Sequence, residues 1–337
     1  MPVVSIIVLN WNGKHHLDGC LGSLEGQTYR SFECIVVDNG SCDGSVEFIR
    51  EQYPWVVLIC LSNNTGFAAG NSTGLSYCSG KYIVTLNNDT VADPEWLAEL
   101  VKVADNNPDA GMVATRICSI SDPDVIDSLG MKICLYGMSR GAYRNQKYSE
   151  LSFVPSEILC PSACSGLYRR EMIDQTGFFD ESFFAYCEDT DLGLRGRRAG
   201  WYALLAPEAV VYHKYSATAG AFSPFKLYLV ERNHFWMVFK NFPLILLLML
   251  PALTAFRYLL QFLLLIKNDG TGRDLRKSAS SLNCLLAFGR GVLHGLSGGL
   301  IILYNRPAWG LLPSREDFSL IRLFLAHRMS FKELLRS

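Results

Sequence analysis

Glu188, Asp189 and Asp191 place three carboxylates within four residues, and Phe183, Phe184 and Tyr186 crowd the same stretch. Carboxylates beside apolar rings are costly unless hydrogen bonds, a metal or catalysis use them. The first turn of a helix would account for one of them, because negative charge there complements the helix dipole. It does not account for the aromatic setting, in which one carboxylate can wait to take a proton from an alcohol. Two further acidic turns lie upstream, Asp38-Asn39-Gly40-Ser41 and Asn87-Asn88-Asp89-Thr90, each after an apolar run. Asp38 can accept hydrogen bonds from a base N–H or a ribose hydroxyl; Asn39-Gly40 equally suits an Asx turn. Asn87, Asn88 and Asp89 offer oxygen donors for a divalent ion, which needs only one or two carboxylates when a diphosphate completes its shell. In the run 63–71, Asn64, Gly66 and Asn71 punctuate small residues. That pattern suits a helix N-terminus facing a pyrophosphate, or a tight loop into a close-packed helix. His213 is either a further ligand or a structural histidine. No Gly-x-Gly-x-x-Gly follows the first strand, which disfavours a dinucleotide site.

Strands and helices must bring these stations together. Apolar runs at 3–9, 32–37, 56–61, 82–86 and 112–117 read as buried strands. Helices are expected at 17–24, 45–52 and 66–77. Asp93-Pro94-Glu95 opens another, with Asp93 as N-cap. This alternation predicts an α/β fold, a Rossmann-like, mostly parallel sheet with helices on both faces. Ligands of such sheets bind at the carboxyl ends of the strands, where Asn10, Asp38 and Asn87 to Asp89 fall. Residues 119–156, rich in Gly, Ser and Tyr, predict loops or a small β excursion. A strand entering a helix at 165–173, a helix at 188–199 and a strand at 202–211 follow.

The tail differs from the rest of the 337 residues. From Asn241 onward, 12 Lys and Arg against 5 Asp and Glu leave a net charge of +7, and the remainder carries −8. Hydrophobic residues make up 49% of the chain, and the mean hydropathy of +0.15 is high for a soluble protein. The division expected is a catalytic domain at 1–240 and a helical region at 241–337. Stretches 242–266 and 284–304 reach the ~20 residues a spanning helix needs. Each carries an arginine and helix breakers near its middle, Arg257 with Pro251 and Arg290 with glycines. Interfacial or re-entrant helices, a spanning pair and an oligomer-forming bundle are the alternatives. The basic residues are interleaved with Leu and Ile, which points to a membrane surface and away from nucleic acid. The 11 cysteines form no Cys-x-x-Cys pair. Cys34 and Cys60 sit in apolar runs and read as core residues; Cys160 and Cys164 read as free thiols in a loop. Reduced cysteines, with Pro2-Val3-Val4 leading straight into a strand, predict the cytoplasm.

Taken together, Val4 to Asn12, Val36 to Ser41, Asn64 to Asn71, Leu86 to Thr90 and Glu188 to Leu192 resemble the inverting family 2 glycosyltransferases, which have the GT-A fold. The resemblance covers about residues 3–240 and is strongest to rhamnosyltransferases of bacterial O-antigen and cell-wall assembly. It implies that Asp38 contacts the nucleoside base and that Asn10 and Asn12 line the nucleotide site. Asp89 would hold Mg2+ or Mn2+ from the second aspartate position of the family's Asp-x-Asp motif, with Asn87 standing in the first. His213 would be the family's later metal ligand. Asp189 would be the general base, supported by Glu188 and Asp191 or with those two touching the acceptor. Arg232-Asn233 matches a recurring position of unassigned role. Gln-x-x-Arg-Trp, the mark of processive synthases, is absent, so transfer of a single sugar is implied.

The expectation is therefore transfer of one sugar from a nucleotide-diphosphate donor to a glycan or polyprenyl-linked acceptor, at the cytoplasmic face of the membrane. dTDP-rhamnose is the donor the resemblance favours; UDP-galactose and UDP-N-acetylglucosamine stay open. The alternatives are a non-catalytic nucleotide-sugar-binding or scaffold subunit, and a soluble enzyme whose tail forms a homo-oligomer.

Overall fold

β-Branched residues pack well on a pleated surface, and strands covered on both faces read as unbroken apolar runs. Four such runs become β1 (Val4–Asn10), β2 (Phe32–Asp38), β3 (Val57–Cys60) and β4 (Tyr82–Asn87) in the computed structural model. They pair in parallel in the order β3-β2-β1-β4. One face, with Ile6, Val8, Val36 and Val84, packs on Leu17 and Leu21 of α1 (Lys14–Glu25) and on Leu97 and Leu100 of α4 (Trp96–Asn106). On the other lies α3 (Phe67–Leu75), so close that a Cβ at Gly74 would stand 2.7 Å from Ile7 Cγ2 and one at Gly70 2.4 Å from Leu9 Cδ1. The small residues of α3 are thus a packing requirement. α2 (Ser45–Gln52) has the bounds its sequence predicts.

Beyond β4 the sheet is mixed. The remaining elements are β5 (Thr90–Ala92), β6 (Ala110–Ser119), β7 (Ile126–Ser128), β8 (Met131–Ile133), β9 (Ser139–Gly141), β10 (Ser165–Arg169), α5 (Arg170–Thr176), α6 (Glu188–Arg198) and β11 (Tyr202–His213). The order continues β4-β10-β6-β11-β5, with β7 on β6 and β8-β9 a separate ribbon. β6 and β11 are parallel, whereas β10 is antiparallel to β4 and β6, and β5 to β11. Because β10 is antiparallel, its first residue, Ser165, stands opposite Leu86 near the carboxyl end of β4. The loop before β10 therefore joins the edge where ligands of such sheets bind. A register shift between Ala206 and Val210 surrounds Pro207, which has no N–H to give the ladder. The bulge lets β11 run on to His213.

Two expectations are corrected. Asp93 does not cap α4: its side chain accepts from Glu95 N at 3.0 Å as an Asx turn, and the helix begins at Trp96 behind Glu95. Cys60 is exposed because β3 is the edge strand, while Cys34 in β2 is buried. All the cysteines are free thiols.

The structure describes residues 2–154, 156–214, 223–267, 281–306 and 315–329. They group into one compact unit of Met1–Met131 with Gly141–Thr218, and a second of Lys132–Arg140 with Ala219–Ser337. The second unit holds α7 (Pro224–Asn241), α8 (Leu244–Lys267), α9 (Ser281–Tyr304) and α10 (Arg315–Ala326). Ser223 caps α7, accepting from Lys226 N at 3.2 Å, and Pro224 fits its first turn. α9 lies against α7 through Gly291, Gly295, Gly298 and Gly299. A Cβ at Gly299 would stand 2.2 Å from Phe239 and one at Gly295 2.7 Å from Phe235. Arg257 of α8 reaches both Glu231 oxygens, at 3.2 and 2.7 Å, in a buried ion pair. The outward residues Ile245, Leu248, Met249, Phe256 and Leu259 of α8, and Leu282, Leu285, Leu293, Leu300 and Ile301 of α9, are exposed. Leu282–Tyr304 is long and apolar enough to cross a membrane, by length and composition. Of the tail expected at 241–337, residues 268–280, 307–314 and 330–337 lie outside the described residues.

Trp96, fully buried, ties α4 to the sheet: its Nε1 donates to Thr115 Oγ1 at 3.0 Å, and Thr115 pairs with Ser165 Oγ at 2.8 Å. Trp96→Phe removes that bond and leaves a gap, so a loss of about 1–3 kcal/mol is expected, read as a lower urea midpoint by circular dichroism. An unchanged midpoint would show that this tie is dispensable.

Candidate active site

The carboxyl ends of β1, β2 and β4 are joined by side chains. Asn10, fully buried at the end of β1, donates through Nδ2 to Asp38 Oδ2 at 2.9 Å and to Ser41 Oγ at 3.2 Å. Its Oδ1 accepts from Asn88 Nδ2 at 2.7 Å. Asp38 also accepts from Ser41 N at 2.9 Å, so the Asx turn forms. Asn12, in the left-handed region at φ 50°, donates its backbone N–H to Ser41 Oγ and accepts from Cys42 N, both at 2.8 Å. Asn39 holds the next loop, donating to Asn64 Oδ1 at 3.1 Å and to Gly66 O at 3.0 Å. Asn64 in turn accepts from Gly66 N at 2.9 Å. Asn71 donates to Phe67 O within α3, a helix-internal bond.

Gly66, at φ 94°, is pressed against the segment that carries the carboxylates: a Cβ there would lie 2.6 Å from both the ring and the carbonyl of Phe184. Ala68 N donates to that carbonyl at 3.1 Å. Phe184, Tyr186 and Cys187 all have positive φ, at 64°, 74° and 72°, immediately before α6. Non-glycine residues in that region cost of order 1–3 kcal/mol each and collect where function holds them. The turn so formed places Glu188 and Asp189 in the first turn of α6.

Asp189 accepts from Ala163 N at 3.3 Å, and the next residue, Cys164, accepts through its carbonyl from Asn87 N at 2.8 Å. The loop before β10 thus bridges Asp189 to the Asn87–Asp89 turn. Burial raises the Asp189 carboxyl above its ordinary range, against opposing hydrogen bonds from Ala163 and Thr190. Glu188 is buried, and its Oε2 has no hydrogen-bond partner. Burial first, then the neighbouring Asp189, pushes Glu188 up to about 8. Asp191 has a different job. Fully buried, it accepts from Arg195 Nε at 2.8 Å, and Arg195 also donates to the carbonyls of Thr176, Gly177 and Phe178. That is a brace between α5 and α6, signalled in sequence by the four-residue spacing.

Asp89 and His213 meet at the other end of the site, with His213 Nε2 3.3 Å from Asp89 Oδ1. That oxygen is buried and has no hydrogen-bond partner, and it sits beside an imidazole nitrogen, so the donor pair fits a divalent cation. Among the described residues no three His, Cys, Asp or Glu side chains form a ready-made cage; a shell begun by Asp89 and His213 would need further oxygens, such as those of a diphosphate, to complete it. Burial opposes charge on His213, but Cys164, Asp127 and Asp89 around the ring outweigh it and raise its pKa well above the ordinary range, so a cation binding at Nε2 would have to displace the proton there. Two residues here carried no sequence signal. Asp127 lies 2.7 Å from His213 Nδ1. His16 on α1 is buried with neither ring nitrogen hydrogen-bonded, and its pKa is lowered, chiefly by burial. Its place follows from the helix face it shares with Cys20, which lies 3.6 Å from Asn87 O, and Ser23, which accepts from Ala92 N. Arg232 and Asn233 lie on α7 in the second unit, bonded to each other at 2.8 Å, with Arg232 over the Trp236 ring.

A carboxyl raised from its ordinary 4.5 to about 8 binds its proton more tightly in the folded chain. Its contribution to stability is complete below the unfolded pKa and is lost as pH rises through the folded one. The melting temperature of the donor-free protein should therefore fall between about pH 5 and about pH 8.5, and Glu188→Gln should flatten that fall. Equal slopes in both proteins would remove the protonated Glu188.

Known proteins resemble this chain in sequence and in fold. Residues 5–177 match the family model Glycosyl transferase family 2. An N-acetylglucosaminyl-diphospho-decaprenol L-rhamnosyltransferase of Mycobacterium tuberculosis is 29% identical over 242 residues, 65% of this chain and 78% of that protein. The O-antigen biosynthesis protein RfbC of Myxococcus xanthus is 28% identical over 232 residues, 65% of this chain but 18% of its own length. A mannosyltransferase from Pyrobaculum calidifontis, solved with GDP-Man and Mn2+, matches with a TM-score of 0.56 at 17% identity, covering 90% of this chain and 86% of that one. Residues 1–349 of Staphylococcus aureus TarS match with a TM-score of 0.50 at 18% identity, covering 72% of this chain and 66% of that one. At such identities the structures speak for the fold, a mixed α/β architecture of the GT-A type. With the family model spanning about half its length and rhamnosyltransferase and O-antigen proteins among its relatives, the chain belongs to glycosyl transferase family 2.

Proposed function

We propose that this glycosyltransferase moves one sugar from a nucleotide-diphosphate donor to a polyprenyl-diphosphate-linked glycan, with inversion at the anomeric carbon. The observation that carries the reading is the placement of Asp189: fixed by Ala163 N–H, one residue from the bridge to the Asn87–Asp89 turn. Asp38, steadied by Asn10, accepts from the base, with Asn12, Asn64, Gly66, Asn71, Asn87 and Asn88 around the nucleotide sugar. Asp89 and His213 hold Mg2+ or Mn2+. When bound, such an ion neutralises charge developing on the diphosphate leaving group. Asp189 takes the proton of the acceptor hydroxyl at a carboxylate oxygen, and the freed oxygen attacks the anomeric carbon from the face opposite the nucleotide. One displacement suffices because the donor is already activated. Burial raises both Glu188 and Asp189, which favours a single negative charge on the pair; in this reading the base carries it.

The rhamnosyltransferase relative supports a rhamnosyl donor, taken here as dTDP-rhamnose, and, through the lipid-linked substrate in its name, a polyprenyl acceptor. The outward apolar faces of α8 and α9 support contact with a membrane, at its cytoplasmic side in this reading.

Thermal melts with a panel of nucleotide-diphosphate sugars, with and without Mn2+, test the donor. At ~100 Kd a true donor adds about 2.7 kcal/mol of stability, and only with metal if the reading holds. Asp189→Asn should lower kcat at least ~100-fold with donor affinity retained. Normal turnover in that variant would assign the base elsewhere. Sedimentation with anionic vesicles tests the membrane contact: the chain should pellet, and Leu248→Asp with Leu293→Asp should leave it in the supernatant. Wild-type chain that stays in the supernatant would refute the membrane reading.

A further inference from the structure

Region 119–156 has no part in the chemistry proposed so far, yet it delivers two charged side chains behind His213. Asp127 is the middle residue of β7, which pairs with β6 beside β11. Its Oδ2 lies 2.7 Å from His213 Nδ1, and its Oδ1 lies 2.9 Å from Arg144 Nη2. All three side chains are largely buried, at 13% exposure for Asp127, 17% for Arg144 and 10% for His213.

The backbone around Arg144 is unusual. Tyr143 and Asn145 on either side of it have φ of 59° and 62°. Hydrogen bonds from Ala142 N to Gly130 O, Asn145 N to Ile126 O and Ile126 N to Gln146 O, at 2.8, 2.9 and 2.9 Å, clamp that turn onto β7. A turn held in this costly region on both sides of one arginine is over-determined by its surroundings. It fixes where the guanidinium meets Asp127. An imidazole bonded to a carboxylate through Nδ1–H has its ring plane and tautomer set, and its other nitrogen is left to act. Here that nitrogen is Nε2, beside Asp89.

We propose that Asp127, held by Arg144, is a positioning residue that aims His213 Nε2 at the divalent cation shared with Asp89. The proposal rests on the reading of Asp89 and His213 as metal ligands. Through it the segments 126–128 and 142–146 become the support of the cation site.

The test measures Mn2+ affinity of the full chain by electron paramagnetic resonance of free Mn2+, with a nucleoside diphosphate present. Asp127→Ala should weaken Mn2+ binding about 10–100-fold, and metal-free nucleotide binding should not change. Asp127→Asn keeps an acceptor for Nδ1–H and should lose less; it also serves if the alanine variant fails to fold. Nitrogen NMR of the His213 ring gives a second readout, with the Nδ1–H signal shifted in Asp127→Ala. If His213→Ala loses Mn2+ and Asp127→Ala does not, the positioning role is overturned and the ligand reading stands. If His213→Ala itself keeps wild-type affinity, the ligand reading falls and this proposal with it.

Discussion

The side-chain amide of Asn10 is the interaction on which the site depends. It sits on a central strand, fully buried, and uses both ends: Nδ2 toward Asp38 and Ser41, Oδ1 from Asn88. One group thereby sets the spacing between the Asp38 carboxylate at the end of β2 and the turn after β4. A buried polar group left without its partner costs about 1–3 kcal/mol; removing the amide would leave Asn88 Nδ2 without this acceptor and Asp38 with only its bond from Ser41 N. The backbone leaves room for it. A Cβ at Gly13 would fall 2.2 Å from Asn88 Nδ2 and 2.7 Å from Asn10 Oδ1, so the chain must leave β1 without a side chain there.

Strain is distributed in the same way. Asn12, Tyr143, Asn145, Phe184, Tyr186 and Cys187 are the non-glycine residues at positive φ among those described. They lie in three places: the loop after β1, the turn that carries Arg144, and the segment before the carboxylates of α6. The sheet and its two helical faces supply the stability that lets these turns persist. Preformed geometry of this kind spares the molecule reorganisation when substrate arrives.

What could be read from sequence was local. Strand and helix alternation placed β1 to β4 and α2 because apolar period and turn residues act over a few positions. The placement of Asn10, Asp38 and Asp89 at or just beyond strand ends was legible because apolar runs mark where strands stop. The antiparallel insertion of β10 was not, since nothing in its five residues says which neighbour it will meet. Asp127 lies 86 positions from His213 and looks like any acid in a polar loop. Asp191 stands among the same carboxylates, but its arginine four residues on makes it a brace. Cys60 looked apolar in context and is exposed because strand order, which the sequence does not spell out, put β3 at the rim.

The two rims of the sheet carry a consequence for assembly. β3 has four residues and β5 three, and these are the ends of the strand order. A stray extended peptide needs a longer ladder of free N–H and C=O groups to dock edge to edge. This sheet therefore offers little template for runaway fibre growth, even with Val57 and Cys60 uncovered on β3. Copies of the chain crowded together would find their adhesive surface on the leucine-rich helices instead, where detergent or lipid can mask it.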